Sequence, residues 1–229
     1  MTLIETQPRA SKERKSQIFH RDHLDHYVEP LSVGASLFAA LNLAPGTVVL
    51  DPCCGWGRIP RAAQAAKLHA IGSDILPRWE QSPDGEPKAF RADDGYLCLT
   101  PTLMEADWFD RLNWYPSQSE TWRFPATIVS NPPYNRAEEF LGLALDRAVS
   151  MVALILPLSW ISGGKRSDML AKTPLYKFMP ICPRPSMPPG SAILAGQKVG
   201  GGTTDFATYV WLKGYRGAPQ VEWLRSAKP

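Results

Sequence analysis

TVVLDPCCGWGRIPRAAQAAK, residues 47–67, passes from a β-branched apolar run through two glycines into a stretch of helix formers. The run Thr47–Leu50 is short, β-branched and nearly continuously apolar, which suits a strand covered on both faces better than one with a wet side. Gly55 and Gly57 let the backbone turn tightly, and the segment 57–67 carries helix formers. Strand, glycine turn and helix in that order make the repeating unit of a parallel α/β sheet.

The same unit recurs outward along the chain. HAIGSDI (69–75), ATIVSN (126–131) and MVALILP (151–157) are short and nearly continuously apolar. In RAEEFLGLALDRAV (136–149), Phe140, Leu141, Ala144, Leu145 and Ala148 recur at helical spacing. The pattern predicts a doubly wound, mostly parallel α/β sheet. FATYVWLKGY (206–215) reads as a further strand and KFMPICP (177–183) as a weaker one.

Composition narrows the alternatives. At 229 residues, 44% hydrophobic and 21% charged, the chain suits one principal domain. We expect a polar flexible tail over 1–22 and a single domain over 23–229, with no separate target-recognition domain. The longest apolar run, Met151–Leu156, falls far short of the ~20 residues of a membrane span, and the N-terminal stretch has no apolar signal core. A cytoplasmic location without membrane contact is the expectation. Cys53, Cys54, Cys98 and Cys182 include no C-x-x-C pair, which favours reduced thiols over a disulfide framework or a zinc site. A net charge of +3 permits an anionic partner without demanding one.

In an open parallel sheet, ligands collect at the carboxyl ends of the strands. The first such end is LDPCCGWGR, where Gly55-x-Gly57 is followed by Pro60 in place of the third glycine of a dinucleotide fingerprint. The next strand ends at Asp74, where an acid suits ribose hydroxyls. A plain turn and a capping aspartate would satisfy each feature taken alone.

Taken together, DPCCGWGR, SDI and NPPY in this order resemble the S-adenosylmethionine-dependent amino-methyltransferases, specifically the N6-adenine and N4-cytosine DNA methyltransferases with their [D/N/S]-P-P-[Y/F/W] signature. The resemblance spans about residues 24 to 215. HYVEPLSVGASLFAAL (26–41) is similar to the family segment with a Y-x-T-P-like pattern that touches the cofactor's methionine end, with Glu29 in place of the threonine. ALILPLSWISGGKR resembles the fifth strand and the loop after it. The resemblance implies a Rossmann-like methyltransferase fold with an antiparallel C-terminal strand and S-adenosylmethionine as cofactor. The implied cofactor site comprises Tyr27, Glu29, Pro30, Asp51, Pro52, Gly55, Gly57, Asp74, Ile75 and an acid for the adenine amino group. For that acid, EADWFD (105–110) offers Asp107, which we favour, and RADDG (91–95) offers Asp93.

Asn131, Pro132, Pro133 and Tyr134 are then the implied catalytic residues. An exocyclic amine is a poor nucleophile because its lone pair is delocalised into the ring. Acceptors that draw both N–H bonds toward tetrahedral geometry help it, and Asn131 Oδ1 and the Pro132 carbonyl suit that role. Two consecutive prolines fix their own φ and keep the preceding residues out of the helical region, which aims the carbonyl. Tyr134 offers a ring for an extruded base. The implied reaction is methylation of an exocyclic amino group of a nucleic-acid base, N6 of adenine in DNA first. An RNA base, a protein glutamine, and a cofactor-binding scaffold subunit are the alternatives, and a separate specificity subunit is a conceivable partner.

His20, His23 and His26 at i, i+3, i+6 drift around a helix surface, with Asp22 and Asp25 between them reading as solvated charge, so no metal is assigned. RPSMPPGSAILAGQKVGGGTTD (184–205) reads as a substrate-facing loop, and RLNWYPSQSETWRF (111–124) carries Trp114, Tyr115 and Trp122, suited to stacking on single-stranded bases. Weak built-in readout of sequence is therefore expected.

Overall fold

A computed structural model describes residues 22, 24–110, 127–198 and 202–227. Among the described residues the main sheet has nine strands, of which seven make its body: β1 Val48–Asp51, β2 His69–Asp74, β3 Thr102–Glu105, β4 Thr127–Ser130, β5 Met151–Pro157, β6 Leu175–Cys182 and β7 Phe206–Leu212. Their order is β6-β7-β5-β4-β1-β2-β3, and β7 runs antiparallel to both of its neighbours. Gln220–Val221 and Leu224–Arg225 extend the sheet beyond β6. The longer helices are α1 Leu31–Leu41, α2 Arg58–Ala65 and α3 Ala137–Arg147, with the shorter α4 Gly164–Leu170 and α5 Gly190–Leu194.

The apolar runs are explained by burial on two faces. Strand alternation sends Leu50, Ile128, Val152, Leu154 and Leu156 toward Phe140, Leu141 and Ala144 of α3. The residues between them, Val49, Val129, Ala153 and Ile155, pack with Val33, Leu37 and Phe38 of α1 and with Ile59 and Ala63 of α2. A strand between two helical layers has no wet side, so its sequence carries no polar alternation.

The expected strands and helices occupy their anticipated places, and the C-terminal strand is antiparallel as the resemblance implies. Two elements differ. The stretch read as a weak strand forms β6, eight residues long and irregular between Leu175 and Lys177. Strand β3 has no counterpart in the sequence reading, because its TLME sits at the sheet edge, half-exposed, and lacks a continuous apolar run. The anticipated stacking segment 111–124 and nearly all of the tail 1–22 lie outside the described residues.

After β3 the chain returns to the centre of the sheet as β4, beside β1. The winding direction changes there, so the carboxyl ends of β1 and β4 open a crevice. Ser130 Oγ donates to Asp51 Oδ1 across it at 2.7 Å.

Candidate functional site

A cleft of about 910 Å³, including its open mouth, lies at these strand ends. Its wall contains Asn131 and Pro133 from the end of β4, Asp51, Pro52 and Gly55 from the loop after β1, and Asp74 and Ile75 from the end of β2. Tyr27, Glu29 and Asp107 complete the predicted set on the wall. Pro30 instead stands at the N-terminus of α1 and Gly57 at that of α2, while Pro132, between the wall residues Asn131 and Pro133, is buried. Asp107 reaches the cleft from the loop after β3, where its Oδ1 accepts the Phe109 N–H at 2.9 Å; Asp93 is exposed in the turn of a short ribbon formed by Phe90–Arg91 and Leu97–Cys98.

The glycine loop is held by the next strand. Gly55 has φ +50°, and its N–H donates to Asp74 Oδ2 at 2.9 Å. A Cβ on Gly55 would lie 2.8 Å from His26 Nε2, so both the backbone angle and the close approach require glycine. Asp74 Oδ1 accepts the Leu76 N–H at 3.2 Å and pairs with the Arg78 guanidinium. Burial raises the Asp74 carboxyl above its ordinary value despite Arg78 and the N–H donors. The expected ribose acceptor thus already serves as the brace of its own loop.

Asn131 is held from three sides. Its Nδ2 donates to the Tyr27 carbonyl at 2.8 Å and to Glu29 Oε2 at 2.9 Å, and its Oδ1 accepts the Tyr134 hydroxyl at 2.8 Å. Glu29 is buried, which raises its carboxyl against the opposing Asn131 hydrogen bond. The carboxyl anticipated at the methionine end of a cofactor therefore sits on the carboxamide of the NPPY segment.

Tyr134 differs from its anticipated placement. Its ring stacks on Tyr27, with centroids 5.5 Å apart and planes 8° from parallel, and meets Phe206 at 5.8 Å. The ring lies behind the cleft wall, so it packs against protein where an extruded base was expected.

Several wall residues escaped the sequence reading. Asp25, read as solvated charge, is 6% exposed, and its Oδ2 accepts the Asn135 N–H at 2.8 Å. His26 meets Trp56 edge-on at 5.7 Å; burial, then the charge of Arg78, lowers it to about 4, with Asp22 opposing. Arg58 donates to the Glu29 carbonyl at 2.8 Å and pairs with Asp84 at 2.6 Å. His20 and His23 lie outside the described residues. The loop read as substrate-facing contributes a strap: the Pro188 carbonyl accepts the Val28 N–H at 2.9 Å, and Gly190 N–H donates to the His26 carbonyl at 3.0 Å.

Neither a protein-family model nor a curated protein sequence matches the chain. Solved structures do. A predicted O-methyltransferase from Agrobacterium tumefaciens superposes with a TM-score of 0.54 at 16% identity, over 87% of this chain and 86% of that one. The methyltransferase subunit of a type I restriction-modification system from Streptococcus thermophilus superposes with a TM-score of 0.53 at 12% identity, over 82% of this chain and 45% of the subunit. This chain has a Rossmann-like methyltransferase fold. It spans about half the length of the restriction-modification subunit. Within this fold, the cleft at the β1–β4 switch point is the location that strand topology reserves for a ligand. No helix among the described residues is long and apolar enough to cross a membrane.

Proposed function

We propose that the protein is an S-adenosylmethionine-dependent methyltransferase acting on an exocyclic amino group of a nucleic-acid base, with N6 of adenine in DNA as the first substrate. The observation that carries the reading is Asn131, clamped on the cleft wall beside the Gly55–Asp74 loop. The cleft chemistry fits the cofactor: Asp25, Asp51, Asp74 and Asp107 on the wall suit a sulfonium and an ammonium group. Ile75, 48% exposed beside Asp74, offers an apolar contact next to the carboxyl that would take a ribose hydroxyl, and Asp107 would take the adenine amino group.

When bound, S-adenosylmethionine supplies an electrophilic methyl group: the amine lone pair forms the N–C bond, the S–C electron pair returns to sulfur, and the surplus proton leaves to water. Asn131 Oδ1 accepts one amine N–H, and the Pro132 carbonyl takes the other. Their positions are set before the reaction by β4 and by the two prolines, so little reorganisation remains at the reacting nitrogen. Tyr134 serves from behind, holding Oδ1 through its hydroxyl. Tyr27, which is on the wall and stacked on Tyr134, takes over as the ring that faces a base. Relaxed target choice, or choice supplied by a separate specificity subunit, goes with this reading.

The deciding experiment is incubation with methyl-labelled S-adenosylmethionine and separate DNA, RNA and protein pools, followed by nucleoside analysis. Label in N6-methyladenine from DNA is the expected result. Label confined to RNA or to protein glutamine would reassign the substrate, and no label in any pool would refute methyl transfer.

A further inference from the structure

Resting on the amino-methyltransferase reading, we propose that Glu29 is a positioning residue that fixes the polarity of the Asn131 carboxamide, so that the one acceptor position left on Oδ1 faces the target amine. A carboxamide has two N–H donors and two oxygen lone pairs. Both donors are committed, to the Tyr27 carbonyl at 2.8 Å and to Glu29 Oε2 at 2.9 Å, and one lone pair receives the Tyr134 hydroxyl at 2.8 Å. Among the described residues, a single lone pair of Oδ1 remains for a ligand on the wall. The group therefore greets a substrate as an acceptor only and selects an N–H donor.

The alternative orientation is closed off by the same partners. Flipping the amide by 180° about its last bond would set Oδ1 against a carbonyl and a carboxyl oxygen, and Nδ2 against the Tyr134 hydroxyl. Two acceptor–acceptor contacts would replace two hydrogen bonds in a half-buried position. Glu29 is itself held: it is 7% exposed, and Arg58 donates to its backbone carbonyl at 2.8 Å. The segment that carries it is pinned by the strap through Val28 N–H to Pro188 and Gly190 N–H to His26. Asn131 and Glu29 are 102 positions apart, so the clamp exists only in the folded chain.

The same polarity separates asparagine from aspartate at this position. Asn131→Asp would place a second carboxylate oxygen against Glu29 and Tyr27. Glu29→Gln in that background returns a donor toward the new carboxylate and relieves one of the two clashes.

The test compares Glu29→Gln, Glu29→Ala, Asn131→Asp and the double variant Asn131→Asp/Glu29→Gln in the full chain. We expect Glu29→Gln to hold kcat within about threefold, because its amide oxygen still accepts from Nδ2. Glu29→Ala should lower kcat by about 10–100-fold through a misplaced acceptor, with cofactor affinity by calorimetry unchanged. The double variant should exceed Asn131→Asp in kcat. The Asn131 side-chain amide signals in 15N NMR should lose their protection from exchange in Glu29→Ala and keep it in Glu29→Gln. This readout needs no substrate, so it stands even if the wild-type protein labels no pool and the enzymatic reading fails. Full activity with intact amide protection in Glu29→Ala would overturn the proposal. So would a loss of cofactor affinity matching the loss of kcat, which would make Glu29 a cofactor ligand.

Discussion

Removing the Asp74 carboxylate tests the loop and the cofactor site together. Its side chain is 6% exposed and that of its partner Arg78 is 15% exposed. Asp74→Ala strips an acceptor from Gly55 N–H and from Leu76 N–H and leaves the guanidinium without its partner. Breaking a buried pair from one side costs about 3–5 kcal/mol. Arg78 lines the open cleft, where water reaches it, so we expect about 2–3 kcal/mol in urea unfolding. Arg78→Ala leaves Asp74 with its two backbone donors and should cost about 1–2 kcal/mol. The double variant should fall short of the sum by at least about 1 kcal/mol, the scale of coupling between contacting residues. For the cofactor, the hydrogen bonds leave Oδ2 with one donor, Gly55, and give Oδ1 two. One ribose hydroxyl can be accepted at Oδ2 while Arg78 stays in place. Asp74→Ala should therefore weaken S-adenosylmethionine by about 1.5–3 kcal/mol in titration calorimetry, with Arg78→Ala within about threefold of wild type. Unchanged affinity in Asp74→Ala would remove this residue from the site. A tenfold tightening in Arg78→Ala would mean that the ion pair competes with the cofactor, refuting the single-hydroxyl geometry.

Asp51, on the same cleft wall, is buried and pushed well above its ordinary 3.8, first by burial and then by neighbouring acids, against the Ser130 hydrogen bond. A raised carboxyl binds protons in the folded state that it has lost in the unfolded one, so its contribution to stability is full below about 3.8 and fades as pH rises through the folded value. Asp51→Asn keeps an oxygen for Ser130 and Cys53 and removes this dependence. Its urea stability relative to wild type should climb from pH 4 toward pH 8, by about 1.36 kcal/mol per unit of upward displacement, and a flat difference would refute the assignment. Gly55→Ala forces a non-glycine residue to φ +50° with its Cβ against His26, so unfolding should show a loss of about 1–3 kcal/mol together with weakened cofactor binding; an unperturbed variant would contradict the loop geometry.

Legibility in the sequence followed locality. The strands β1, β2, β4 and β5 were readable because each is buried on two faces and hydrophobicity is a property of consecutive residues. Asp51, Gly55, Asp74 and Asn131 were readable as wall residues because each ends a strand or begins the loop after it, and parallel topology brings such ends together. The edge strand β3 was missed because a half-exposed four-residue strand carries almost no periodic signal. Asp25 was misread for a different reason: aspartate among histidines looks solvated until the backbone N–H of Asn135, 110 positions on, arrives to bury it.

The sequence by itself determined that strand ends bearing glycine, an acid and an asparagine–proline pair would meet at one edge of a doubly wound sheet. Only the tertiary structure decided what those groups do to one another. Glu29 and Tyr27 hold Asn131 across more than a hundred positions, Tyr134 packs on Tyr27, and Arg78 pairs with Asp74. Apolar burial is summed over short runs of sequence and survives errors of a residue or two. A hydrogen bond requires two particular atoms about 3 Å apart with the donor aimed at the acceptor, and that relation is fixed by how distant segments pack.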